Sequence, residues 1–208
     1  MHHPFARTVS LLAGILALTV AARAEDKPAP DMKAMMEMME KMGSPNENHK
    51  LLDYFVGAWD YRMKMWMDPS APPQESSGSV ECKSVWGGRY FHTDHTGKME
   101  MPGPDGKPVA REFIGAALNG YNNMKQRFFA AWIDNMSTGL TVLEGAYDAT
   151  KKVFTYSGEM DCPMTPNVPM KVREVITITG PDQYLFEWHE QRDGKERRTM
   201  EITYTRRK

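Results

Sequence analysis

His92, Asp94 and His95 stand close together in a stretch that reads as a strand, so His92 and Asp94 share one face and His95 takes the other. Two ligands on one strand face can meet a metal ion, and the same residues also suit a strand end near solvent. Trp132, Asp134, Ser137 and Thr138 form the densest polar and aromatic cluster. That cluster suits a pocket rim that orients a polar group of a ligand, or a strand end whose turn N–H groups are taken by Asp134. Arg89, after Gly87-Gly88, offers a charge to a ligand carboxylate or a partner to Glu112 or Glu187. His189 and Tyr121 complete the candidate ligand-binding set of Arg89, His92, Tyr121, Trp132, Asp134, Glu187 and His189. His49 reads as a ligand or general base, or as a capping contact that fixes a helical turn to the rest. No catalytic residue is assigned, since the chain lacks G-x-S-x-G, H-E-x-x-H, a P-loop and a dinucleotide fingerprint.

These residues need elements to hold them. Asp31 is a good N-cap and Gly43 followed by Pro45 a good stop, so residues 32–42 read as a helix. Met32, Met35, Met36, Met39 and Met42 make one apolar stripe along it, expected to lie on something. Thioethers suit Cu(I), so the stripe also raises a copper reading; adaptable packing explains it equally well. A second short helix is expected over 46–55. From Gly57 the period changes to two, and Trp59, Tyr61, Met63 and Met65 alternate with Asp60, Arg62 and Lys64. Similar runs follow at 78–86, 88–96, 111–121, 126–134, 138–147, 152–161, 169–179, 183–192 and 196–206. Turn residues such as Asn122-Asn123, Gly180-Pro181-Asp182 and Asp193-Gly194 separate them. Ten short strands on tight turns must be antiparallel neighbours, and such a meander hides its edges by closing or by forming a sandwich. Strands of this length favour an all-β, ten-stranded antiparallel up-and-down barrel behind a short N-terminal helical segment.

The N-terminus sets the compartment. Arg7 precedes an apolar run from Val9 to Ala22, and Ala22-Arg23-Ala24 is a cleavage site of the A-x-A type. This is the three-part pattern of a secretory signal, too short for a membrane span of about 20 residues. The expected organisation is a signal at 1–24, a leader with the Met-rich helix at 25–45 and a barrel domain at 46–208, working in the periplasm or outside the cell. No other segment is long and apolar enough to cross a bilayer. Cleavage removes two of the 26 basic residues and none of the 27 acidic ones, which leaves a formal charge of −3. A mild negative charge without a basic stripe argues against nucleic acid as a partner. Cys82 and Cys162 either pair in an oxidising compartment or sit as two separate buried thiols.

Gly57-x-Trp59 opening the first strand, with Tyr204-x-Arg206 ending the last, resembles the calycin group, the lipocalins and their relatives. In that group the first-strand Trp packs at the closed end and an Arg of the last strand lies across it. The pair Trp59 and Arg206 is therefore expected to close this barrel. The chain is also similar to a family of bacterial proteins catalogued as domain of unknown function fifteen seventy-nine. That resemblance runs over nearly all of the chain after Ser44, through His49-x-x-Leu52, Gly87-Gly88-Arg89, Gly120-Tyr121, Trp132-x-Asp134 and Ser137-Thr138. Asn122 stands where the family pattern has Asp. The resemblance implies a lipocalin-like barrel and no activity. A related barrel family binds haem through one histidine, which would make His189 or His92 the ligand here.

The expected function is to carry or sense a small apolar or amphipathic molecule inside the barrel, with no cofactor required. A hydrolase or isomerase using the same cavity is the alternative, and it demands carboxylate or histidine groups of shifted pKa inside. A third reading makes the Met-rich helix a docking element for an envelope partner or copper.

Overall fold

The computed structural model describes residues 31–208, apart from Gly106, Met164 and the side chain of Pro102. The expected signal sequence lies outside the described residues. Helix α1 spans Met32–Gly43, followed by α2 (Glu47–Leu51) and a 3-10 turn over Leu52–Phe55. Ten strands follow: β1 (Gly57–Met65), β2 (Gln74–Val85), β3 (Tyr90–Pro102), β4 (Pro108–Asn122) and β5 (Arg127–Asp134), then β6 (Thr141–Asp148), β7 (Val153–Met160), β8 (Met170–Gly180), β9 (Gln183–Arg192) and β10 (Lys195–Arg206). Each pairs antiparallel with its neighbour in sequence, and β1 pairs with β10 from Trp59↔Arg206 to Met65↔Met200. The sheet is therefore a closed ten-stranded barrel, as the period-two runs predict. Closure satisfies the backbone donors and acceptors that an open edge would expose.

The β3–β4 hairpin is longer than its hydrophobic pattern suggests. Its strands run past the expected 88–96 and 111–121 until Pro102 faces Pro108, with only a few residues joining them. Asn122 caps the turn after β4, its Oδ1 accepting from the N–H groups of Met124 and Lys125 at 3.0 Å each. That is the role the family's Asp would play.

One end of the barrel is plugged. Leu52 is 2 % exposed and packs among Phe91, Phe128 and Phe154, with Phe55 beside it. The Phe55 ring lies edge-on to Tyr184 at 5.1 Å and tilted against Phe154 at 5.7 Å. A clamp from the last strand holds this plug. The Arg206 guanidinium lies 4.0 Å over the fully buried Trp59 ring. It donates to the Val56 carbonyl at 2.7 Å and the Tyr54 carbonyl at 2.6 Å, and stands 3.3 Å from Asp182. Trp59 Nε1 donates to the Phe55 carbonyl at 2.8 Å. Gly57 has φ +118°, and a Cβ there would sit 3.1 Å from Arg206 Nη1, so only glycine leaves the guanidinium its place. The first-strand Trp and last-strand Arg thus meet as the calycin resemblance implies.

The helical segment is tied to the same end. His49 completes a capping box with Asn46: its Nδ1 accepts from the Asn46 N–H at 3.0 Å, and Asn46 Oδ1 accepts from the Asn48 N–H at 2.9 Å. The buried imidazole lies edge-on to Tyr121 at 5.7 Å, and burial lowers its pKa. His49 is a structural cap here. Asp31 caps α1 as expected, but the Met stripe does not lie on the barrel: no residue of α1 is buried, and Met32, Met36, Met38 and Met39 are among its exposed side chains. Only the C-terminal end of α1 is fastened, through Asn123 Nδ2 to the Met42 and Ser44 carbonyls and Arg89 Nε to the Gly43 carbonyl.

Two outcomes follow from this architecture. Replacing Arg206 with Ala leaves two partly buried carbonyls unpaired and removes the cation over Trp59, and is expected to destabilise the fold by about 2–4 kcal/mol in urea unfolding. Removing residues 31–41 is expected to shift the same curve by less than about 0.5 kcal/mol, because no buried side chain is lost.

Candidate functional site

Below the plug the barrel is not filled. A cavity of ≈ 530 Å³ runs from a floor at Leu52 and Phe55 to a mouth at Met67, Arg192 and Arg197. The alternation of each strand supplies its wall. Strand β1 turns Tyr61, Met63 and Met65 inward, β3 turns Phe91, Thr93, His95 and Met99, and β9 turns Tyr184, Phe186 and Trp188. Glycine makes room where rings meet backbone: a Cβ on Gly97 would come within 2.2 Å of the Tyr61 hydroxyl, so the ring lies flat against β3. Stacked and edge-on aromatic pairs keep the wall rigid. Tyr184 stacks on Tyr204 at 4.3 Å, and Phe186 is parallel to Trp188 at 6.5 Å.

A few polar groups interrupt this lining. On β8 the inward series is Met170, Val172, Glu174 and Ile176, a carboxyl set in an apolar row. The Glu174 side chain lines the cavity. Among the described residues it has no hydrogen bond or ion pair. Desolvation alone pushes its pKa up to about 7. Its cross-strand neighbours are Tyr156 on β7 and Trp188 on β9. The buried phenols of Tyr156, Tyr184 and Tyr204 are held above their ordinary pKa, first by burial and further by the Glu174 charge. Across the lumen, His95 is enclosed by Trp132 at 4.9 Å, Tyr204 at 6.4 Å and Tyr61 at 6.5 Å. Burial lowers its pKa to about 4, so the imidazole is neutral at ordinary pH. Thr93 Oγ1 is buried among the same walls without a hydrogen-bond partner.

Of the candidates read from sequence, Trp132 and Asp134 line this cavity. Asp134 takes a turn N–H as one of its two readings expects, its Oδ1 accepting from the Met136 N–H at 2.9 Å and its Oδ2 from Trp132 Nε1 at 2.8 Å, at the cavity rim. The others lie elsewhere. Tyr121 packs at the plugged end, edge-on to Phe128 at 4.9 Å. Arg89 holds the Gly43 and Trp86 carbonyls, not Glu112 or Glu187. His92 faces outward, its Nδ1 3.5 Å from Asp94 Oδ2. Glu187 and His189 also face outward, in a charge network where Glu187 pairs with Arg198 at 2.7 Å and His189 stands 4.0 Å from Glu196. Neither His92 nor His189 can reach an iron inside the barrel; the inward histidine is His95. Cys82 and Cys162 are buried and not joined to each other, and burial pushes the Cys82 thiol up to about 12. No group of three or more His, Cys, Asp or Glu side chains among the described residues is placed to hold a metal ion.

Sequence reasoning placed His95 on the face opposite His92 but left it, Glu174 and the lumen tyrosines out of the candidate set. A signal existed: Phe91-x-Thr93-x-His95 and Val172-x-Glu174-x-Ile176 each place a titratable group on the apolar face of its strand.

Comparison with known proteins bears on the fold. A family model described as a protein of unknown function (DUF1579) matches residues 44–206. The crystal structure of Rv2717c from M. tuberculosis is similar with a TM-score of 0.53 at 14 % identity, covering 79 % of this chain and 100 % of that one. A de novo designed fluorescence-activating β-barrel aligns with a TM-score of 0.39 at 12 % identity, covering 74 % of this chain and 95 % of that one. A search of curated proteins finds no match. No helix among the described residues is long and apolar enough to cross a membrane.

The two buried titratable groups pull stability in opposite directions with pH. Folded Glu174 holds its proton more tightly than the unfolded chain, so its contribution is greatest below 4.5 and is lost as pH rises toward 7. Folded His95 resists protonation, so its contribution is complete above 6.5 and is lost as pH falls toward 4. Glu174→Gln is therefore expected to gain about 2–3 kcal/mol on the parent protein between about pH 5 and pH 8, read from urea midpoints at each pH. An unchanged difference would place Glu174 in contact with bulk water.

Proposed function

The chain belongs to the DUF1579 family of proteins of unknown function, and from that premise and its half-empty barrel we propose that it binds one small apolar or amphipathic molecule in the lumen. The observation that carries this reading is the cavity itself, whose size falls within the range of small-molecule sites. Its wall is mostly aromatic and aliphatic, with a few converging polar groups that orient a ligand instead of solvating it. Methionines Met63, Met65, Met99 and Met200 add a polarizable surface that adapts to shape. The signal-like N-terminus supports export, so the encounter with ligand is placed in the periplasm or outside the cell.

Protein purified from its own host is expected to retain a small molecule in native mass spectrometry. The neutral dye N-phenyl-1-naphthylamine should brighten on binding and saturate at about one per chain. Ala117→Trp projects a large ring into the lumen; it is expected to abolish the brightening while costing about 1–3 kcal/mol of stability. Equal brightening by the parent and that variant would refute lumen binding.

A hydrolase or isomerase acting in the same cavity is the second reading. It is favoured by one observation, that His95 and Glu174 both face the lumen with shifted pKa. It expects turnover to vanish in Glu174→Gln, whereas a pure binder has none to lose.

A further inference from the structure

The Glu174 carboxyl is an acid in the lumen that the packing of the barrel does not explain. It stands midway along the wall, between Tyr156 and Trp188 on the two neighbouring strands. No cationic side chain answers it. Arg173, the next residue, points outward and is held by Glu196 through two hydrogen bonds of 2.8 and 2.7 Å. Arg192 sits at the mouth, paired with Glu190 at 2.6 Å. His95 is the lumen's imidazole, and it is neutral. What does face Glu174 is aromatic: Tyr156, Tyr184, Tyr204 and Trp188. An acid among aromatic side chains and lacking a counter-charge is a site for a cation, since both the carboxylate and the π-clouds attract positive charge. An anionic head group would instead meet repulsion at the same depth.

We propose that the lumen takes an apolar molecule carrying one basic nitrogen, whose ammonium group lies against the Glu174 carboxylate between Tyr156 and Trp188. This rests on the lumen-binding reading and specifies its ligand class. The apolar remainder of the molecule fills the space toward the mouth, where Met65, Met99 and Met200 line the wall. Glu174 and the ammonium neutralise each other, which removes the penalty of a lone buried charge.

The test compares three probes of equal chain length, decylamine, 1-decanol and decanoate, by calorimetry with the full mature chain near pH 8. Decylamine is expected to bind at least about tenfold more tightly than decanol, and decanoate to bind the weakest. In Glu174→Gln the amine should fall to within about threefold of decanol, while decanol itself changes little. Decanol or decanoate matching the amine in the parent protein would overturn the proposal and leave lumen binding intact. So would a glutamine variant that keeps the preference. Failure of all three probes to bind would overturn lumen binding itself and this inference with it. The comparison within the parent protein decides the matter even if the variant does not fold.

Discussion

Everything in the barrel depends on one guanidinium. Arg206 belongs to the last strand, yet it hydrogen-bonds the backbone of the segment that precedes the first strand and covers the indole of β1. A ten-stranded meander could in principle lie open, with β1 and β10 as two unpaired edges. The register Trp59↔Arg206 places the clamp at the very start of the β1–β10 seam. Seam and plug therefore form together or not at all: the guanidinium reaches the Tyr54 and Val56 carbonyls only if the strands have closed. This is a long-range contact, spanning some 150 residues of sequence, so forming it carries the loop-closure entropy of most of the barrel chain.

A packed end permits an unpacked one. Protein interiors are close-packed, and a void costs the contacts its lining forgoes. Here the fully buried rings, Trp59, Phe91 and Phe154, gather with Leu52 around the plug, and the other half of the lumen stays open. The walls do not collapse inward because each strand is hydrogen-bonded on both sides and the lumen rings brace one another. The packed core and the open cavity thereby occupy different halves of the same cylinder.

The barrel was legible in the sequence because strand alternation and turn residues are local signals. All ten strands appear where the period of two predicts them, and Gly57-x-Trp59 foretells the clamp. Which face of a strand turns inward is less local. On β3 the crowded pair His92 and Asp94 drew notice, whereas the solitary His95 on the Phe91 face is the one that enters the lumen. Likewise Glu187 and His189 sit beside the inward rings of β9 but share a face with the outer charge network. Glu174 escaped because a lone carboxylate in a strand usually marks the solvent side; only Val172 and Ile176, two residues away on either side, betray its direction. The Met stripe of α1 failed for a different reason. Amphipathic periodicity reports that a face could be buried, and it carries no information about whether a partner is present.

Retaining Glu174 has a consequence for how such a lumen can discriminate. An apolar cavity alone ranks ligands by size and shape, and a methylene more or less changes affinity only modestly. A buried polar group left without a partner is another matter, since a ligand that cannot satisfy it must bear its desolvation as well. The folded barrel already carries that cost, along with the unpartnered hydroxyl of Thr93. A molecule that answers these groups relieves a penalty that the folded chain otherwise keeps, so its binding energy includes a contribution that no purely apolar competitor can match. On the proposed reading, adaptable methionines would set the outline of the ligand and the carboxyl its chemistry, so that selectivity would reside in a residue that weakens the fold.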